Sequence, residues 1–167
     1  MIVVYTGKGK GKTSASVGQA LRAHGQGLKV AFAQFMKRPE QAGEQAMLCA
    51  LLGESFFVGG RGFFKNEAQR DEHRRAALAV LDWAQRALPQ ADLLVLDECL
   101  YALGAGLLTD DEVKELVAAA RAKSTHLVLS GRGLPEWLVA EADIITEMQP
   151  VKHVFETGQG AVKGIEF

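Results

Sequence analysis

Residues 6–13 read Thr6-Gly7-Lys8-Gly9-Lys10-Gly11-Lys12-Thr13. Glycine, ammonium and hydroxyl alternate here closely enough to wrap an anion. The glycines let successive backbone amides turn inward without a Cβ clash. A helix opening directly after the run adds the positive end of its dipole. Lys12 supplies a point charge for phosphate oxygens, and the Thr13 hydroxyl is a ligand for Mg2+. The run departs from the G-x-x-x-x-G-K-[ST] pattern at one place: Thr6 stands where the first glycine belongs, and Gly7 follows it. The loop is therefore expected to cradle phosphates with altered geometry, and ordinary γ-phosphate hydrolysis suits it less well.

Three further segments carry chemistry. The apolar run Leu93-Leu94-Val95-Leu96 ends in Asp97-Glu98. On a strand beside the loop strand, such an acid holds the metal of a phosphate-loop protein. Adjacent strand residues point to opposite faces, so one of the two is expected to face the metal. Ser130-Gly131-Arg132 ends another apolar run, and an arginine there lies on the ligand side of an open α/β sheet. Gly59-Gly60-Arg61-Gly62-Phe63-Phe64-Lys65 joins glycines to two aromatics in a loop, as suits a large flat ligand or a partner, or else rings folded into the core. No Ser-His-Asp order, HExxH or CxxC pair accompanies them, and His24, His73, His126 and His153 are scattered.

The elements that must position these residues alternate short apolar runs with helical patterns, the mark of βαβ units on a mostly parallel sheet. Strands are expected at 2–5, 30–35, 55–58, 93–96, 126–129 and 144–146, the last as a core strand. Helices are expected at about 12–24, 43–52, 67–88 and 134–141. A further helix opens on the capping box Thr109-Asp110-Asp111-Glu112. Val17, Ala20, Leu21 and His24 form the expected inner face of the first helix. From Val151 onward the chain reads as an irregular or hairpin tail. At 167 residues and 18.0 kDa, with 48% hydrophobic and 23% charged residues, this is one globular domain spanning 1–167. That composition excludes a disordered tail, a coiled coil and a membrane span. Cys49 and Cys99 fit no metal or disulfide spacing and read as buried small hydrophobes. Without a leader the protein is expected in the cytoplasm. From Met1 to Pro39 there are seven Lys/Arg and no Asp or Glu, a field that favours a polyanion.

The loop through Ser14, the strand ending in Asp97-Glu98, the Leu129-Ser130-Gly131-Arg132 segment and the tail resemble the cobalamin (corrinoid) adenosyltransferases of the CobA/CobO/BtuR type. The tail residues are Ala142-Asp143-Ile144-Ile145-Thr146-Glu147-Met148, Val151-Lys152-His153 and Lys163-Gly164-Ile165-Glu166-Phe167. The resemblance covers nearly the whole chain. It implies an α/β, single-domain phosphate-loop (RecA-like) fold with helices on both faces of the sheet. It implies transfer of the 5′-deoxyadenosyl group of ATP to cobalt(I) of a corrinoid such as cobalamin or cobinamide, with release of triphosphate. Mg2+ or Mn2+ assists, ATP lies reversed in the loop, a reductase supplies electrons and the protein is a homodimer. Since reduced cobalt is the nucleophile, the chain needs none of its own.

The resemblance carries over to Gly7, Lys8, Gly9, Lys10, Gly11, Lys12, Thr13 and Ser14 as the phosphate loop, with Lys12 as its catalytic charge. Arg22 and Arg132 join the ATP site, and Thr13, Glu98 and Asp97 stand at the metal. Phe63 falls where the family crowds the lower face of the corrin, and Lys65 replaces a tryptophan found in some members. Some members also close the partner subunit's site with a leading segment. This chain starts at its first strand, so closure is expected from elsewhere. The other reading is a phosphate-loop ATP-binding regulatory module or NTPase. Neither reading involves a membrane, and the chain has no nucleic-acid-reading motif.

Overall fold

The computed structural model describes residues 1–63, 67–152, 158 and 160–165. Its strands are β1 (Ile2–Thr6), β2 (Val30–Gln34), β3 (Phe56–Val58), β4 (Leu93–Asp97), β5 (His126–Ser130) and β6 (Ile144–Glu147). They form one sheet in the order β3-β2-β4-β5-β1-β6, and every pairing is parallel. The helices are α1 (Lys12–Gly25), α2 (Gly43–Leu52), α3 (Arg70–Ala87), α4 (Cys99–Gly104), α5 (Asp110–Lys123) and α6 (Glu136–Glu141).

Alternation along the buried strands splits the core in two. Ala31, Ala33, Leu94, Leu96, Leu127 and Leu129 pack on the side of α3, α4, α5 and α6. Phe32, Val95 and Val128 face Ala20 and Ala23 of α1 and Leu48 of α2. The expected α/β architecture, helices on both faces, is the one that forms.

Five expectations change. β5 stands between the loop strand β1 and the acidic strand β4, so β4 is not beside the loop strand. β6 is not core: it forms the sheet edge, and all four of its residues are exposed. α1 buries Lys12, Ser16, Ala20 and Ala23, while Leu21 is exposed at 51% and His24 also faces solvent. The small stripe lets the helix lie close on the sheet. Cys49 is exposed, whereas Cys99 is buried, and burial pushes its thiol up to about 12. The long helix also starts later than expected, because residues 67–69 form a 3-10 turn.

The capping box at Thr109 forms, with the Thr109 hydroxyl accepting from the Glu112 amide at 3.3 Å and Glu112 accepting from the Thr109 amide at 2.8 Å. Glu112 is also clasped by Arg74 of α3, whose two guanidinium nitrogens donate at 2.6 and 2.8 Å. That bond to Arg74 is the main reason the Glu112 carboxyl is held down at about 2. A depressed carboxyl stabilises the fold above its ordinary value of 4.5, and the gain is lost as pH falls toward 2. Glu112→Gln should therefore cost about 1 kcal/mol at neutral pH, a partly exposed ion pair being worth no more. In thermal melts that is a drop of roughly 3 °C, and it should vanish near pH 2. A drop that persists at pH 2 would place the loss in packing.

Candidate active site

The loop between β1 and α1 turns on two glycines with positive φ, Gly7 at 102° and Gly11 at 114°. Gly11 is the N-cap of α1, and no side chain caps that end. The first-turn amides therefore open toward the loop as donors for an anion. The displaced glycine has a structural reason. A Cβ on Gly7 would lie 2.3 Å from the Met148 carbonyl oxygen. The Gly9 amide donates to the same carbonyl at 2.7 Å. Residues just past β6 thus lie directly against the loop. Thr6 belongs to β1, and its carbonyl accepts from the Met148 amide at 2.8 Å.

Lys12 is buried, and its ammonium donates to the carbonyls of Gly7 and Gly9, both at 2.8 Å. Burial pulls it below the ordinary lysine value, and Arg132 adds to this against the opposing charges of Glu98 and Asp97. Lys8, Lys10 and Ser14 are exposed on the rim. Arg132 also reaches the loop, donating to the Lys8 carbonyl at 3.3 Å. A cleft of about 450 Å³ adjoins this contact, lined by Thr6, Lys8, Arg132, Leu134, Ile145 and Glu147 among others. A cavity of about 280 Å³ bordered by Lys29, Trp83 and Arg86 lies at the opposite end of the strands and touches none of the site residues.

The two adjacent acids part company. Asp97, the last residue of β4, is fully buried and accepts from four side chains. These are Thr13 at 3.1 Å, Ser130 at 2.6 Å, Gln34 at 3.2 Å and Lys37 at 3.1 Å. Glu98 turns out of the strand with φ 60° as the N-cap of α4, and its amide donates to the Ser130 hydroxyl at 3.1 Å. Burial and the Asp97 charge push the Glu98 carboxyl above its ordinary value, against Lys37, Lys12 and Arg132. One acid is tied to Thr13 and the other lies within the field of Lys12 and Arg132.

The donor set fits a hard divalent cation, because Thr13, Asp97 and Glu98 supply oxygen only. The Lys37 ammonium lies against Thr13 and Asp97 as a cationic stand-in. Among the described residues no group of three or more His, Cys, Asp or Glu converges as a metal cage. Residues missed in the sequence complete the polar cluster: Gln34, Lys37, Glu44 and Gln45. Gln34 ending a fully buried strand was the available signal, since a buried amide demands partners.

Phe63 is exposed at 57% and meets Tyr101 of α4 edge-on, with centroids 5.3 Å apart. Its loop is strapped to the segment after β2, with the Gly62 amide donating to the Met36 carbonyl at 2.8 Å. A Cβ on Gly60 would lie 2.1 Å from the Phe35 carbonyl oxygen, so only glycine allows this approach. Phe64 and Lys65, and in the tail His153, Glu166 and Phe167, lie outside the described residues. Arg22 is not brought to the loop. It is exposed in the last turn of α1, ten residues and about 15 Å of helix beyond Lys12.

Among the described residues no helix is long and apolar enough to cross a membrane. A solved structure of AMPPCP-bound DnaA from Aquifex aeolicus superposes on 97% of this chain at 14% identity and a TM-score of 0.49, and the chain spans 47% of its length. The corrinoid adenosyltransferase of Pseudomonas aeruginosa is 38% identical over 172 residues, covering all of this chain and 83% of the relative. Corrinoid adenosyltransferase CobA of Salmonella typhimurium is 36% identical over 171 residues, covering all of this chain and 85% of the relative. The model of one family, ATP:corrinoid adenosyltransferase BtuR/CobO/CobP, matches residues 1–167, and the chain belongs to that family.

Proposed function

We propose that this protein transfers the 5′-deoxyadenosyl group of ATP to the cobalt of a reduced corrinoid and releases triphosphate. The convergence of Lys12, Thr13, Asp97, Glu98 and Arg132 at one end of the sheet carries this reading. In the reaction the C5′–O bond breaks, the cobalt electron pair forms the cobalt–carbon bond, and the oxygen keeps the bonding pair as part of triphosphate. The protein's task is then to bind and neutralise a leaving group whose charge grows. Lys12 gives up the Gly7 and Gly9 carbonyls for that charge. Arg132 and the α1 amides act on the same anion. Thr13 with Asp97 and Glu98 would hold Mg2+, which would add positive charge beside the triphosphate. Cys99 is no competing nucleophile, because its thiol is pushed up to about 12. A homodimer, a reductase supplying electrons to cobalt and a cytoplasmic site of action belong to this reading, whereas Arg22, at the far end of α1, does not reach the loop.

Phe63 is the candidate for the lower face of the corrin. Its exposed ring stands on Tyr101, not in the core. If it displaces the lower ligand of cobalt(II), Phe63→Ala should cut adenosylation from enzyme-bound cobalt(II) with a mild reductant about tenfold or more. The reaction from pre-reduced cobalt(I) should stay near wild type, since that ion has no lower ligand to lose. A packing phenylalanine would instead cost about 3–5 kcal/mol of stability and harm both assays alike, with a lowered melt. A nucleotide switch or NTPase has no corrinoid to bind. Adding reduced corrinoid and Mg2+-ATP should change the visible spectrum to that of an alkylated corrinoid; ATP consumption with an unchanged spectrum would overturn the proposal.

A further inference from the structure

Lys37 lies where the phosphate loop meets the acidic strand, and its ammonium has three acceptors. Glu44 Oε1 is 2.6 Å away, Asp97 Oδ2 3.1 Å and Thr13 Oγ1 3.3 Å. Its three N–H donors are therefore matched one to one. Two of those acceptors, the Thr13 hydroxyl and the Asp97 carboxylate, are the oxygens a divalent cation would take. Thr13 donates to Asp97 and accepts from Lys37, so its proton and one of its two lone pairs are engaged while the ammonium stays. Glu44, the shortest of the three partners, is held in place from behind. Gln34 donates to Glu44 at 3.0 Å and to Asp97 at 3.2 Å, and Gln45 donates to Gln34 at 2.9 Å. Both glutamines are buried.

We infer that Lys37 is a resident counter-cation that excludes free metal ion from the Thr13–Asp97 seat, so that metal loading depends on the triphosphate. A bare divalent cation must expel a fully paired ammonium and then meet its positive charge nearby. A metal that arrives on a triphosphate brings oxygens that accept from Lys37, while Glu44 keeps hold of the ammonium. Lys37 is thus a positioning residue: it aligns Thr13 and Asp97 before loading and yields them on loading. The inference rests on the metal seat of the proposed function and makes no use of the corrinoid, so each can fail without the other.

The test is Mn2+ binding to the nucleotide-free protein, read from the loss of the free-ion electron paramagnetic signal. Lys37→Met leaves Asp97 and Glu44 without their cation, and Mn2+ should bind at least about tenfold more tightly than to wild type. Lys37→Arg keeps the charge and should stay within about threefold of wild type. If Lys37→Met fails to fold in a thermal melt, Lys37→Gln replaces it with the same required ratio. Equal Mn2+ affinity in wild type and the neutral variant would overturn the inference. So would wild-type protein that saturates with Mn2+ below about 0.1 mM without nucleotide, because the seat would then be open to free ion.

Discussion

Lys12→Ala should lower adenosyl transfer by about 2–4 kcal/mol of transition-state stabilisation, the loss seen when one preorganised electrostatic group is removed. In kcat/KM that is a factor of roughly 30 to 1,000. Lys12 is buried, yet among the described residues its ammonium bonds to the Gly7 and Gly9 carbonyls alone, which water can reach once the side chain is gone. The fold should therefore survive, with a melting temperature within a few degrees of wild type. Steady-state kinetics with pre-reduced corrinoid, beside a melt, measures both. Wild-type turnover in a folded Lys12→Ala protein would remove the phosphate loop from the chemistry.

Asp97→Asn should lose both activity and stability. The carboxylate is fully buried and accepts from Thr13, Ser130, Gln34 and Lys37. An amide of the same shape must aim its NH2 at one pair of those donors, leaving buried donors facing each other, and it removes the charge that Lys37 pairs with. Breaking a buried pair in this way costs about 3–5 kcal/mol, on the order of 10 °C in a melt of a chain this size. The retained Lys37–Glu44 bond holds the loss toward the lower figure. Glu98→Gln is the contrasting change: Glu98 caps α4 without a side-chain hydrogen bond, so activity should fall and the Mg2+ requirement rise with little change in melt. If Asp97→Asn melts like wild type, the four-donor arrangement does not hold that corner of the fold.

The contrast between those two acids marks where the sequence stopped being informative. Strand alternation predicts that only one of Asp97 and Glu98 faces the loop. The left-handed turn at Glu98 takes it off the strand, so that Asp97 meets Thr13 while Glu98 lies within the field of Lys12 and Arg132, and nothing in the apolar run before it signals that turn. The phosphate loop was legible because its chemistry is local: glycines, lysine and threonine lie within eight consecutive residues. The cluster of Gln34, Lys37, Glu44 and Gln45 was not, because it is assembled by the approach of α2 to the end of β2. The insertion of β5 between β1 and β4 is likewise a long-range fact. So is the edge position of β6, whose Ile144-Ile145 reads as core in isolation yet is exposed at 44% and 38%. α4 was missed because six residues are too few to establish a helical period. The reason for Gly7 became visible only with Met148 lying against it.

Phosphorus NMR of the products tests the central claim most directly. The protein is mixed with ATP, Mg2+ and chemically reduced corrinoid, and the new cobalt–carbon bond is followed in the visible spectrum of the same sample. Intact triphosphate should appear, one for each alkylated corrinoid, with no matching rise in orthophosphate or ADP. Orthophosphate and ADP formed at the same rate with or without corrinoid, and no triphosphate, would contradict transfer from C5′ and make the protein a nucleotide hydrolase.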